Sequence, residues 1–194
     1  MPVFTSAILF SLATMAAGAV PPAVSRTVQV CVQAGDAMPW VVTRAQAVAS
    51  KIFEGAGIQV KWIGERSACK HVRDETVVVR FSEDSPSERN PGALAYALPY
   101  AAPGGALVEV YYDRVLKAVE RQRLPNLLGH VLAHEIAHIL EGVNRHSEAG
   151  VMKAHWDVTD FTEMSWRPLP FEALDVELMR RGLERRASQI ASRR

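Results

Sequence analysis

The stretch "VLAHEIAHILEGVNRHSEAGVM" at 131–152 constrains this chain more than any other. His134 and His138 stand four apart in an apolar run, so on a helix they lie one turn apart on the same face. Two imidazole nitrogens can then reach a single ion. Glu135 lies roughly 100° around the helix, off the line of the two histidines but able to lean towards a bound water. An unpaired polar group is costly in so apolar a helix, so these side chains call for a partner. A catalytic tetrahedral metal ion needs a third protein ligand and an open position. Gly142 is placed to end the helix and reverse the chain, and His146 follows four residues later.

His130 continues the same ridge, but three ligands from one straight helix span about 12 Å, too far for bonds of about 2 Å to one ion. It is expected to be a core histidine or to support the ligands. Glu141 is expected at a solvated helix end. His155 is expected on the surface or in packing, with assistance near the cleft as the other possibility. Glu163 and Glu172 remain candidates for third ligand, since a glutamate on a later helix can complete such a site.

The His-Glu-x-x-His pattern is that of zinc metallopeptidases, with the glutamate as general base. The wider stretch resembles the metzincins, whose pattern H-E-x-x-H-x-x-G-x-x-H precedes a methionine turn. Here it is H-E-x-x-H-x-x-x-G-x-x-x-H, with Glu141 where the glycine is expected and Asn144 where the third histidine is expected. "HSEAGVM" resembles the matrixin-like branch, which implies that Met152 is the Met-turn methionine, a hydrophobic floor beneath the metal. "GALAYALPYAAPGGALVEVYYD" (92–113) is similar to that branch's edge strand, linker and fifth strand. The resemblance implies an antiparallel edge strand whose residues Leu94, Ala95 and Tyr96 bind an extended substrate by strand addition.

Elsewhere the pattern is strand-like, with clear alternation in 27–33 and 58–64. "TVQVCVQ" (27–33), "IQVKWIG" (58–64), "TVVVRFS" (76–82) and "ALVEVYY" (106–112) read as strands, and "ALAYALPY" (93–100) as an edge strand interrupted by Pro99. A helix is expected from Asp36 and Pro39 to Phe53, a short one over 113–122, the histidine helix from about Pro125, and a C-terminal helix over 169–190. Phe171, Leu174 and Leu178 are its expected buried face. The order implies an α+β fold of metzincin type: a twisted, mostly parallel five-stranded sheet with an antiparallel edge strand, an active-site helix, a Met-turn and a C-terminal helix.

The first charged side chain is Arg26, and the apolar start ends in "AGA" at 17–19, so residues 1–19 read as an export signal, with an uncleaved anchor as the alternative. Residues 27–190 then form a single catalytic domain. In an exported protein Cys31 and Cys69 read as a disulfide, with two buried thiols as the other reading. A formal charge of +1 recruits neither nucleic acid nor anionic membrane. The expectation is a secreted or periplasmic monomer without a membrane span once the signal is removed. It holds Zn2+ on His134, His138 and His146 and cleaves extended peptide or protein substrates. Glu135 assists attack of zinc-activated water. The alternatives are a zinc-binding protein with a structural or inactive site, and a zinc amidase acting on non-protein amides.

Overall fold

The computed structural model describes residues 26–64, 69, 76–82, 92–101 and 105–192. The expected signal at residues 1–19 lies outside the described residues. Five strands form one sheet: β1 (Thr27–Gln33), β2 (Gln59–Ile63), β3 (Val77–Ser82), β4 (Ala95–Ala101) and β5 (Gly105–Tyr111). Their order is β2-β1-β3-β5-β4. β1 pairs in parallel with β2 and β3, β3 pairs in parallel with β5, and β4 runs antiparallel to β5 at the edge. Mostly parallel pairing with one antiparallel edge strand is the expected arrangement.

Alternation decides which way each strand faces. Val30, Val77 and Ala106 lie side by side across three strands, as do Val32, Val79 and Val108, and all six are buried. That face packs on two long helices, α1 (Pro39–Gly55) and α3 (Leu124–Glu141). α1 begins with Pro39, whose missing N–H is harmless in a first turn. Its buried side, Val41, Val42, Ala45, Ala49, Ile52 and Phe53, recurs at helical spacing. Trp62 of β2 reaches across to α1, its Nε1–H donating to Ser50 Oγ at 2.9 Å. Cys31 and Cys69 are joined by a disulfide that spans 38 residues, worth about 4 kcal/mol on a chain-entropy estimate.

Three further helices lie among the described residues: α2 (Tyr112–Ala118), α4 (Val158–Met164) and α5 (Ala173–Ala191). α2 is shorter than the 113–122 span expected, because the chain turns extended at Val119. α4 was not foreseen in the sequence. It is only seven residues long and is held by a capping box in which Asp157 and Asp160 each accept a backbone N–H of the other. α5 begins four residues after the expected start, and its buried face differs from the expected one. Leu174 is half exposed and Leu178 partly so, while Asp175, Met179 and Leu183 are buried. Phe171 lies before the helix and packs against Phe53, with ring centroids 5.2 Å apart and planes tilted by 46°. The shift follows from Gly182, where α5 crosses α3 at close range: a Cβ there would lie 1.6 Å from the Leu140 carbonyl oxygen. No helix among the described residues is long and apolar enough to cross a membrane.

Gly182→Ala therefore cannot be absorbed by a rotamer change, since the obstruction is backbone. It should cost about 2–3 kcal/mol or more in urea unfolding, as overpacking of a tight contact does; a loss within about 0.5 kcal/mol would contradict this crossing.

Candidate metal centre

Every residue of α3 except Asn126 and His138 is buried. A helix apolar all round belongs in a core, so each polar side chain on it must be accounted for. His130 is fully enclosed. Its Nδ1 lies 2.7 Å from the Asn126 carbonyl oxygen, and its Nε2 accepts the Leu169 N–H at 2.9 Å. A carbonyl only accepts, so Nδ1 carries the proton and both ring nitrogens are satisfied. His130 is thus a tie between α3 and the chain before α5.

His134 uses the same tautomer. Its Nδ1–H donates to the Val151 carbonyl at 2.8 Å, which leaves the Nε2 lone pair free. That Nε2 lies 3.1 Å from His138 Nε2. Two nitrogens bound at about 2.05 Å to one tetrahedral zinc sit about 3.3 Å apart, so this spacing is close to that of a ligand pair. The Val151 N–H in turn donates to the Pro170 carbonyl at 2.9 Å, which pins the carbonyl that orients His134. Trp156 sets its ring edge-on to both His130 and His134, at 6.2 and 5.6 Å between centroids.

α3 stops where the sequence requires. Gly142 takes φ 70°, a left-handed conformation that glycine adopts without steric penalty, and its N–H donates to the His138 carbonyl at 3.0 Å. Arg185 Nη2 caps the Glu141 carbonyl at 2.9 Å. The reversed chain brings His146 back, with its ring 5.3 Å from that of His134 and 5.0 Å from that of His138. Nitrogens of the three imidazoles lie within 4.8 Å of one another. Among the described residues, these three form the one group of His, Cys, Asp or Glu able to hold a metal ion. Two of the other candidates are occupied elsewhere: Glu163 pairs with Arg167 at 2.9 Å, and Glu172 accepts the Ala149 N–H at 3.2 Å. His155 is exposed and lies near enough to His146 to lower its pKa, outside the group of three.

Met152 is fully buried, and its carbonyl accepts the Ser147 N–H at 2.9 Å, closing the turn after His146. Ala95 and Tyr96 lie on edge strand β4, which packs against α3, while Leu94 falls just before it and its carbonyl accepts the Tyr111 N–H at 2.9 Å. Glu141 departs from expectation: it is 1 % exposed, because α5 covers the end of α3. Val151 left no signal in the sequence, because its contribution is a backbone carbonyl.

Burial sets the charge state. It lowers the His134 pKa to about 4, outweighing the Val151 carbonyl that raises it. It lowers His138 to about 4, with His134 and His146 adding to the effect. It also lowers His146, as do His155 and Arg145. Burial alone raises Glu135 to about 8. Burial raises Glu141 to about 7, with Asp175 assisting and Arg145 opposing. The three imidazoles are therefore neutral donors at pH 7. Three neutral nitrogens of borderline softness fit Zn2+ and leave it a fourth position. A divalent cation beside Glu135 would favour its carboxylate over the neutral acid.

No protein-family model matches the chain, and no curated protein matches it in sequence. Its fold is similar to the crystal structure of archaemetzincin from Methanopyrus kandleri, with a TM-score of 0.51 over 85% of this chain and 99% of that one, at 16% identity. The likeness extends to a fold, a mixed sheet with an antiparallel edge strand, and carries no residue roles with it.

Burial that lowers His134 and His138 to about 4 also keeps protons from competing with a metal until the pH nears that value. Zinc affinity, read by chelator competition, should be level above about pH 5 and fall below it as protons compete for the imidazoles. Without metal, the unfolded chain gains protons on these histidines between pH 6.5 and 4 that the folded chain does not, so stability falls as pH drops through that window. Glu135 acts in the opposite sense: folded, it keeps a proton from pH 4.5 to about 8, so its contribution is lost as pH rises through that range. Zinc affinity still level at about pH 3 would contradict the three-imidazole site.

Proposed function

We propose that the chain is a zinc-dependent endopeptidase of metzincin type, nearest in its motif to the matrixin-like branch, with one residue added on each side of the glycine. One observation carries this reading. Two imidazoles from α3 and a third from beyond Gly142 converge within 4.8 Å, with the buried Glu135 next to the first of them. A structural site has no use for a glutamate at that position, whereas hydrolysis does.

His134, His138 and His146 would hold the ion. Bound there, zinc supplies Lewis acidity towards a carbonyl oxygen and lowers the pKa of water to about 7. Glu135 takes a proton from the attacking water on its carboxylate and returns it to the departing amine. Met152, enclosed in the turn after His146, forms the apolar floor of the site. Leu94, Ala95 and Tyr96 present the backbone edge along which an extended peptide adds as a further strand. The position of β4 at the sheet edge and against α3 supports this docking.

Export fits the same reading. The Cys31–Cys69 disulfide suits an oxidising compartment, and residues 1–19 carry the signal. The enzyme then works outside the cytoplasm as a monomer on peptide or protein substrates, without nucleic acid or a membrane span.

Zinc analysis with a peptide-cleavage assay tests this. The wild type should hold one zinc per chain and cleave. Glu135→Ala should keep its zinc and lose about 10²- to 10⁴-fold in rate, the usual worth of a general base. His146→Ala should lose the metal. Cleavage indifferent to Glu135→Ala would sink the mechanism. Zinc without cleavage in the wild type would favour a binding protein, or an amidase whose substrate lies outside the peptide panel.

A further inference from the structure

His146 is the weakest point of the site by its own surroundings. It is exposed, it lies beyond the helix, and the chain around it is irregular except for the bridge between Ser147 and Lys153. Ordering such a loop costs about 1–2 kcal/mol per residue in backbone entropy, so something must hold it. The holder lies 28 residues beyond Ser147, at the start of α5. Asp175 is fully buried and accepts from both neighbours of His146 through a single oxygen. Arg145 Nη1 donates to Oδ1 at 2.6 Å, and the Ser147 hydroxyl donates to the same Oδ1 at 2.6 Å. Arg145 Nη2 also donates to Ser147 Oγ at 3.1 Å, closing a ring of three residues. The other oxygen, Oδ2, accepts the Glu172 N–H at 2.9 Å and serves only the first turn of α5.

We propose that Asp175 is the positioning residue for the third metal ligand: by clamping Arg145 and Ser147 to one carboxylate oxygen it leaves His146 free to project only towards His134 and His138. This rests on the reading of those three histidines as the metal site. The side chains on either side of His146 are drawn to Asp175, while its own ring stands 5.3 and 5.0 Å from those of the other two histidines. A carboxylate suits the task. Its bonds are charge-assisted, and its burial is tolerable because a guanidinium and two further donors satisfy it. The two oxygens divide the work between loop and helix, which makes the roles separable.

The test is the zinc dissociation constant at a temperature well below the melting transition, with the melting temperature of the metal-free protein recorded alongside. Asp175→Asn and the double variant Arg145→Met/Ser147→Ala are compared with Arg180→Met, which removes only surface ion pairs of α5 with Glu177 and Glu184. The double variant leaves the bond from Glu172 in place, so it keeps the test open if Asp175→Asn folds poorly. Both loop-releasing sets should weaken zinc about 10- to 100-fold, the usual effect of losing a group that orients a ligand. Arg180→Met should stay within about twofold. The cobalt(II)-loaded variants should show an altered visible spectrum, which a purely structural loss would not produce. Lower melting temperatures with zinc affinity within twofold of wild type would overturn the proposal. The readout is affinity, so a wild type that binds zinc but cleaves nothing would end the peptidase reading and leave this one to its own numbers. A wild type that binds no zinc would overturn both.

Discussion

A straight helix can deliver two imidazoles to one point, and no more. The rise per turn sets that limit: His134 and His138 meet, while His130, another turn away, cannot join them. Everything after Glu141 answers the resulting demand for a third donor. Gly142 supplies the left-handed residue that ends α3, the chain doubles back, and His146 arrives beside the other two. The added residues on either side of the glycine do not prevent this convergence, because a loop has freedom in length that a helix lacks.

Convergence alone would not make a site in water. Neutral, correctly turned imidazoles are needed, and burial with hydrogen bonding supplies both. α3 is enclosed by α1 and the sheet on one side and by α5 at its end, so desolvation holds the histidines unprotonated. The Val151 carbonyl selects the tautomer of His134. Val151 is pinned by Pro170, and Leu169 is pinned by His130. Asp175 follows a few residues later. The stretch from Leu169 to Asp175 thus braces the site from behind, which explains why a segment with no donor to the metal is so heavily bonded.

The legible parts of the chain were those governed by local rules. Alternating valines marked β1 and a run of β-branched residues marked β3, Pro39 and Gly142 marked helix ends, and the spacing of His134, Glu135 and His138 marked a face. The parts missed depend on what packs where. α4 is too short for periodicity to register, although Asp157 and Asp160 carried a capping signal. Glu141 reads as a solvated end until α5 is laid across it. The buried face of α5 moved from Leu174 and Leu178 to Asp175, Met179 and Leu183 because Gly182 dictates the crossing. Asp175 looked like one more acid on an amphipathic helix, and nothing local distinguishes it from Glu177 or Glu184. The bond it makes to residues 145 and 147 exists only in the folded chain.

The central claim is that three histidines, two from the helix and one from the loop, bind one zinc ion and leave a position open. X-ray absorption at the zinc edge of the loaded protein addresses it most directly. Three imidazole scatterers and one further light atom are expected, at about 2.0–2.1 Å. A fit with only two imidazoles, or with a carboxylate in place of His146, would contradict it.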